Sequence, residues 1–285
     1  MTATIERVRA PAVGVADADI AAYRRDGVVC LRGLFGPECI ERLRAALARN
    51  MKHPGPWHRS ITKPDQPGNF YYDSMMSRFD ADFRAFAEQS PAAEIAGRIM
   101  GSAAVRFYYD QIFVKEPGTL DPMPWHQDLP YWPFQGKQIC SIWLAIEDVT
   151  AAGSGVEFVA GSHAWGKWYL PQLPYDDNKK YEGLGLEPCP DFGRRRGEAG
   201  LRFLTWDMQA GDCLVFSALT VHGSGGNTAM THRRAALSTR WLGDDAVWDP
   251  RPATATYYYE PEGVGLAPGD RVGGRHFPEL WRRGD

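Results

Sequence analysis

The spacing of apolar and polar positions changes character near residue 101. Upstream of that point the period is helical. Residues 17–26, DADIAAYRRD, start on acidic side chains, space their apolar positions and run into Gly27, which predicts a short capped helix. Residues 28–33, VVCLRG, are dense in β-formers and predict a strand. Pro37 then opens PECIERLRAALARNM, in which Ile40, Leu43, Leu47 and Met51 recur at three- and four-residue intervals and give a helix one apolar face. Residues 53–72 are rich in Pro, Gly and polar side chains and predict a long loop. Residues 79–100 predict a third helix, ended by Gly101.

Downstream, β-rich runs alternate with turn residues: VRFYYDQIFVKEP, QICSIWLAIEDV, GVEFVAGS, LRFLTWDM, DCLVFSALTVHG and RRAALSTRWLG. Short strands with turn signals and few helices predict an all-β core, an antiparallel barrel or sandwich, with the helices flanking it. Residues 168–196 form a polar insertion between two strands, a length that suits a functional lid. Residues 244–285 read as irregular cover. The whole is expected to be one domain, 1–285: a flexible lead-in (1–16), a helical support (17–101), the β-core with its insertion (102–243) and the cover (244–285).

Composition narrows the partners. With 44% hydrophobic and 24% charged residues and a net charge of −3 of interspersed sign, the chain has the balance of a soluble globular protein. It lacks the basic block that nucleic acid would require. No apolar run approaches the ~18 residues of a membrane span, and the first residues lack the apolar stretch of a secretion signal. Five cysteines, an odd number with no CxxC, suggest free thiols in a reducing cytoplasm.

The chemistry concentrates in PMPWHQDLPYWPF. On a strand, His126 and Asp128 would point to one face and could meet one ion. His222, in LTVHGSGGN after another β-rich run, is the candidate third ligand. Two imidazoles and one carboxylate on one side of a metal leave the opposite positions open, the arrangement of non-haem iron(II) oxygenases. A 2-oxo acid that chelates iron would bury its far carboxylate, which calls for a forked cation. Arg233 and Arg234 follow His222 by 11 and 12 residues. Being adjacent they face opposite ways, and Arg233 is taken as the inward one. Singly, each piece is commonplace; the combination carries the signal.

With these residues in view, the sequence resembles the phytanoyl-CoA dioxygenase family of iron(II)- and 2-oxoglutarate-dependent oxygenases. The resemblance runs through YRRDGVVCLRGLF, FVKEPG, PWHQDLPYW, IWLAIEDVTAAGSGVEFVAGSH and AGDCLVFSALTVHGSGGN. Ala160 stands where the family commonly has Pro, and Ser154-Gly155 where Asn-Gly is frequent; both changes are expected to lie in a turn away from the ligands. The resemblance implies a double-stranded β-helix, a cupin-like jelly roll. It implies iron(II) on His126, Asp128 and His222, 2-oxoglutarate on Arg233, Gln111 and Trp143, and dioxygen as second co-substrate. The retained carboxylate of Asp128 favours hydroxylation over halogenation.

The expected substrate is a small molecule rather than a coenzyme-A ester, since no basic cluster awaits a nucleotide. Tyr131 and Trp132 are candidates to line its pocket. The expected activity is hydroxylation of an unactivated C–H bond with release of succinate and carbon dioxide. Alternatives are desaturation, cyclisation or epoxidation at the same centre, or a cupin-like protein that binds a metal or metabolite without turnover.

Overall fold

The computed structural model describes residues 14–61, 67–151, 153–172, 179–229, 231–252, 254 and 261–284. Residues 1–13 of the expected lead-in and part of the 168–196 insertion therefore lie outside the described residues. Five helices are described: α1 (Asp17–Asp26), α2 (Pro37–Lys52), α3 (Ala81–Gln89), α4 (Ala92–Met100) and the short α5 (Pro261–Val264). The strands are β1 (Val28–Leu31), β2 (Arg59–Ile61), β3 (Phe70–Ser74), β4 (Ala104–Lys115), β5 (Met123–His126), β6 (Phe134–Gln135), β7 (Ile139–Ala145) and β8 (Val156–Val159). They continue as β9 (Tyr169–Leu170), β10 (Glu187–Pro188), β11 (Phe203–Leu204), β12 (Cys213–Ser217), β13 (His222–Ser224), β14 (Arg234–Leu242), β15 (Val247–Trp248) and β16 (Glu279–Arg282).

Two antiparallel sheets form the core of a jelly roll. The larger has the order β1-β12-β7-β14-β4-β3-β2, with β16 also on β4; the smaller has the order β11-β8-β13-β5. Apart from β2 and β3, neighbours in the large sheet are distant in sequence, so its register is set by long-range pairing. Period-two alternation then sorts its side chains. Ile142 and Leu144 of β7, Val215 of β12, and Ala235 and Leu237 of β14 pack outward against α1–α4. Trp143, Phe216 and Ala236 turn inward, toward Val156 and Phe158 of the smaller sheet. The helices are a buttress: α2 buries Ile40, Leu43 and Leu47, as its spacing predicts. α4 comes so close to β16 that a Cβ at Gly97 would lie 2.2 Å from the Trp281 ring.

Three expectations need correction. The single helix over 79–100 is two helices, because Pro91 lacks an N–H and disfavours helical backbone at Ser90, which is extended (φ −78°, ψ 167°). The loop expected over 53–72 contains β2 and most of β3; the buried run FYY of β3 is β-forming, and its pairing with β4 supplies the stability that local signals did not. The C-terminal cover is not wholly irregular, since β16 returns to the large sheet.

Candidate metal and co-substrate site

β5 ends at His126 and β13 begins at His222, and the two are direct cross-strand partners. Their rings therefore stand on one face, with centroids 4.2 Å apart. The strand does not continue to Asp128. Its backbone is helical (φ −71°, ψ −43°) and it opens the tight turn Leu129–Tyr131. Thus a turn, not strand alternation, brings its carboxylate to the histidines. Gln127 fixes that turn: its amide donates to the carbonyls of Lys167 (3.0 Å) and Leu219 (2.9 Å) and accepts from the Tyr169 N–H (3.0 Å).

Asp128 Oδ1 lies 3.7 Å from His126 Nε2 and 3.9 Å from His222 Nε2. Donor atoms of the three buried residues all fall within 4.8 Å of one another. Each Nδ1 faces a backbone carbonyl, Pro124 O at 2.7 Å for His126 and Thr220 O at 3.0 Å for His222. A carbonyl only accepts, so Nδ1 carries the proton and the Nε2 lone pair turns to the centre. Burial, and after it the neighbouring His126, push His222 down to about 4, so its imidazole is neutral at neutral pH. Burial alone would raise Asp128, but His126, His222 and Arg240 outweigh it and hold the carboxyl well below the usual range. The centre is thus two imidazole Nε2 atoms and a carboxylate oxygen facing one point, ready for a cation.

The Ser141 hydroxyl donates to Asp128 Oδ2 at 2.7 Å and leaves Oδ1 for the metal. Outer hydrogen bonds of this kind carry about 10- to 100-fold in metal affinity. Ser141→Ala is accordingly expected to weaken iron(II) binding by about that factor, read by iron(II) titration of the metal-free protein. An unchanged dissociation constant would remove Ser141 from the site.

The three residues open into a cavity between the sheets. Arg234, not Arg233, reaches into it. Arg234 is the first residue of β14 and pairs with Lys115 of β4, so its side chain is on the inward face. Arg233 lies outside, half-exposed and paired with Glu116 (2.6 Å). The expectation for Arg233 fails because the phase of β14 is set by its partner strand, and a one-residue difference reverses the face.

Arg234 is 4% exposed, has no carboxylate partner among the described residues, and its Nε has no hydrogen bond. Its guanidinium lies 5.6 Å from the Trp143 ring centroid, and burial draws it down to about 10. Ser238 Oγ, on the same face of β14, is buried and unpartnered too. Ser154 is not remote from this arginine: it accepts a long hydrogen bond from Arg234 Nη2 (3.4 Å) and donates to Gly225 O (2.7 Å). It holds a left-handed backbone (φ 74°) that favours Asn or Gly over Ser. Lys115, fully buried, donates to Gly225 O (2.5 Å) and Ser224 Oγ (3.2 Å).

The remaining expected residues divide. Trp143 lines the cavity. Gln111 accepts from Arg240 Nη2 (3.0 Å), a buried arginine that also lines the cavity. Tyr131 sets its ring edge-on to His126 (centroids 5.7 Å) while its hydroxyl donates to Gln172 O at 2.6 Å, joining the metal side to the insertion. Trp132 does not line the cavity. It is 2% exposed and packs edge-on to Tyr108 and Tyr109, because its strand-like backbone after the turn directs it into the aromatic cluster beside β4. Most of the described insertion is likewise cover: Tyr169 and Phe192 pack with Trp125 on the outer face of the smaller sheet.

Sequence reasoning missed Ser141, Ser238 and Arg240, and of the Arg233–Arg234 pair it chose the wrong neighbour. The available signal was a polar residue at an inward position of an otherwise apolar strand. Such residues need partners, and here they face the centre.

The donor set suits iron(II), with protein ligands on one side and open positions on the other. A guanidinium with no carboxylate partner among the described residues, and an unpartnered hydroxyl in the same region, suit the far carboxylate of a 2-oxo diacid. A family model described as phytanoyl-CoA dioxygenase matches residues 23–235. The chain belongs to that family. It is a non-haem iron, 2-oxoglutarate-dependent dioxygenase. It is 24% identical over 242 residues to the multifunctional dioxygenase prhA of Penicillium brasilianum, covering 81% of this chain and 73% of that protein. The epimerase SnoN from nogalamycin biosynthesis, solved with Fe3+, alpha ketoglutarate and nogalamycin RO, superposes with a TM-score of 0.69 at 25% identity, covering 93% and 98% of the two chains. The alpha ketoglutarate-dependent carbocyclase SnoK superposes at 0.72 with 22% identity, covering 95% and 98%.

Proposed function

We propose that the chain hydroxylates an aliphatic C–H bond of a small molecule, using iron(II) held by His126, Asp128 and His222 and 2-oxoglutarate held by Arg234. The observation that carries this reading is the opening of all four side chains into one buried cavity. Bound together, iron and 2-oxoglutarate supply the oxidation of the substrate, coupled to release of succinate and carbon dioxide. The chain's residues perform the rest. Ser141 orients the carboxylate, the carbonyls of Pro124 and Thr220 orient the imidazoles, and Trp143 forms a flat apolar wall under the Arg234 guanidinium. Phe158 and Phe216, with ring centroids 5.7 and 4.7 Å from the His222 ring, keep water from the metal's inner side. Tyr131, edge-on to His126 and bonded to the Gln172 backbone, lies beside the metal residues rather than in the cavity lining.

A second reading, stereochemical inversion or ring closure at the same carbon, is favoured by the likeness to an epimerase and a carbocyclase. Product mass separates the outcomes. Hydroxylation adds one oxygen, ring closure by dehydrogenation removes two hydrogens, and inversion leaves mass unchanged. The test is a screen of small molecules for stimulated succinate release under air, followed by mass analysis of the product. A hit whose product gains one oxygen is expected. Stimulated succinate release with a lighter or isobaric product would move the assignment to the second reading.

A further inference from the structure

Arg240 is a second buried arginine at the metal end of the cavity, and one 2-oxoglutarate carboxylate on Arg234 leaves it unanswered. It is 3% exposed and stands opposite Ser141, the residue that holds Asp128. Nη1 donates to Ser238 O (2.6 Å) and Nη2 to Gln111 Oε1 (3.0 Å), while Nε is buried without a partner. No carboxylate among the described residues forms an ion pair with it. The nearest acids whose field it feels are Asp128, committed to the metal centre, and Asp110, whose oxygens accept from the Ser77 N–H (2.9 Å) and hydroxyl (3.0 Å). A guanidinium left this way costs free energy unless a ligand completes it.

Its surroundings define that ligand. Because Arg240 only donates, Gln111 must present its oxygen to it, which turns the Gln111 amide nitrogen away as a further donor. Gln111 and Phe113 are half-buried on the inward face of β4, and Phe113 lines the cavity together with Arg240. Tyr109 and Phe113 lie under the guanidinium, 4.7 and 5.8 Å from ring centroid to charge. We infer that the substrate is a small apolar acid, a carboxylate or phosphonate, whose anionic group docks on Arg240, with the Gln111 amide beside it, while its carbon frame lies against Phe113. This rests on the assignment of Arg234 to 2-oxoglutarate, and it makes Arg240 a specificity-determining residue.

The test uses the protein loaded with iron(II) and saturating 2-oxoglutarate without oxygen, with ligand binding read by thermal shift. The probes are benzoate and methylphosphonate against benzamide, which lacks the charge. Benzoate or methylphosphonate is expected to stabilise the wild type saturably and benzamide not. Arg240→Gln should weaken anion binding at least about tenfold and leave the 2-oxoglutarate midpoint within about twofold. Gln111→Glu supplies the missing carboxylate from within and should abolish anion binding while the protein stays folded by circular dichroism, which keeps the idea testable should Arg240→Gln not fold. Two results overturn it: benzamide binding as well as benzoate, or Arg240→Gln raising the 2-oxoglutarate midpoint as far as Arg234→Gln does, which would give Arg240 to the co-substrate. Loss of 2-oxoglutarate binding by the wild type would instead strike the Arg234 assignment beneath it.

Discussion

Arg234→Gln is expected to raise the 2-oxoglutarate concentration for half-maximal succinate release by about two to three orders of magnitude, while Arg233→Gln changes it less than about twofold. The asymmetry follows from burial. Arg234 is 4% exposed, so the co-substrate carboxylate it meets is also out of water, and removing one partner of a buried charge pair costs ~3–5 kcal/mol. Each ~1.4 kcal/mol is a factor of ten. Arg233 has a side chain 42% exposed and already spends its charge on Glu116; surface pairs of that kind contribute ~0–1 kcal/mol. The measurement is a 2-oxoglutarate titration of both variants under identical iron. The reverse order would return the role to Arg233 and contradict the inward phase of β14. A secondary effect runs the other way: without ligand, Arg234 is a buried charge with an unpartnered Nε, so Arg234→Met is expected to leave the unloaded protein as stable as the wild type or more so.

The second large effect is at the metal. Asp128→Ala should lower turnover at least about a thousandfold, a loss of ~4 kcal/mol or more in the barrier, and reduce the iron bound per chain. Asp128 is the only acid in the triad, and its Oδ1 sits within 3.9 Å of both imidazole Nε2 atoms. Removing it leaves two imidazole ligands and a cavity whose remaining charged side chains, Arg234 and Arg240, repel a cation. The fold should survive, because the turn that carries Asp128 is held by Gln127 rather than by the carboxylate. Iron content by titration, turnover by succinate release and folding by circular dichroism separate these effects. Full iron occupancy with undiminished turnover would eliminate the triad.

Much of the architecture was readable along the chain because its cause is local. The apolar interval of α2, the density of β-formers in QICSIWLAI and ALSTRWL, and the left-handed glycines that end α1 and α4 are consequences of near neighbours. Where local signals were weak the reading failed. Pro91 divided a helix read as continuous, and β3 gained its strand character from pairing with β4 across an intervening stretch of some 30 residues.

By itself, the sequence determined the chemical identity of the centre: two histidines and an aspartate of the right type, and an arginine pair after the second histidine. It also determined that a β-rich core would carry them. Tertiary structure decided which side chains actually meet. His126 and His222 became neighbours through the pairing of β5 with β13, and Asp128 joined them through a turn pinned by contacts to residues 167, 169 and 219. Arg234 displaced Arg233, and Arg240 entered the cavity at all, because β14 takes its register from β4 and β7. The reason is geometric. Periodicity along a chain fixes which residues share a face, but only pairing with distant strands fixes which face looks inward.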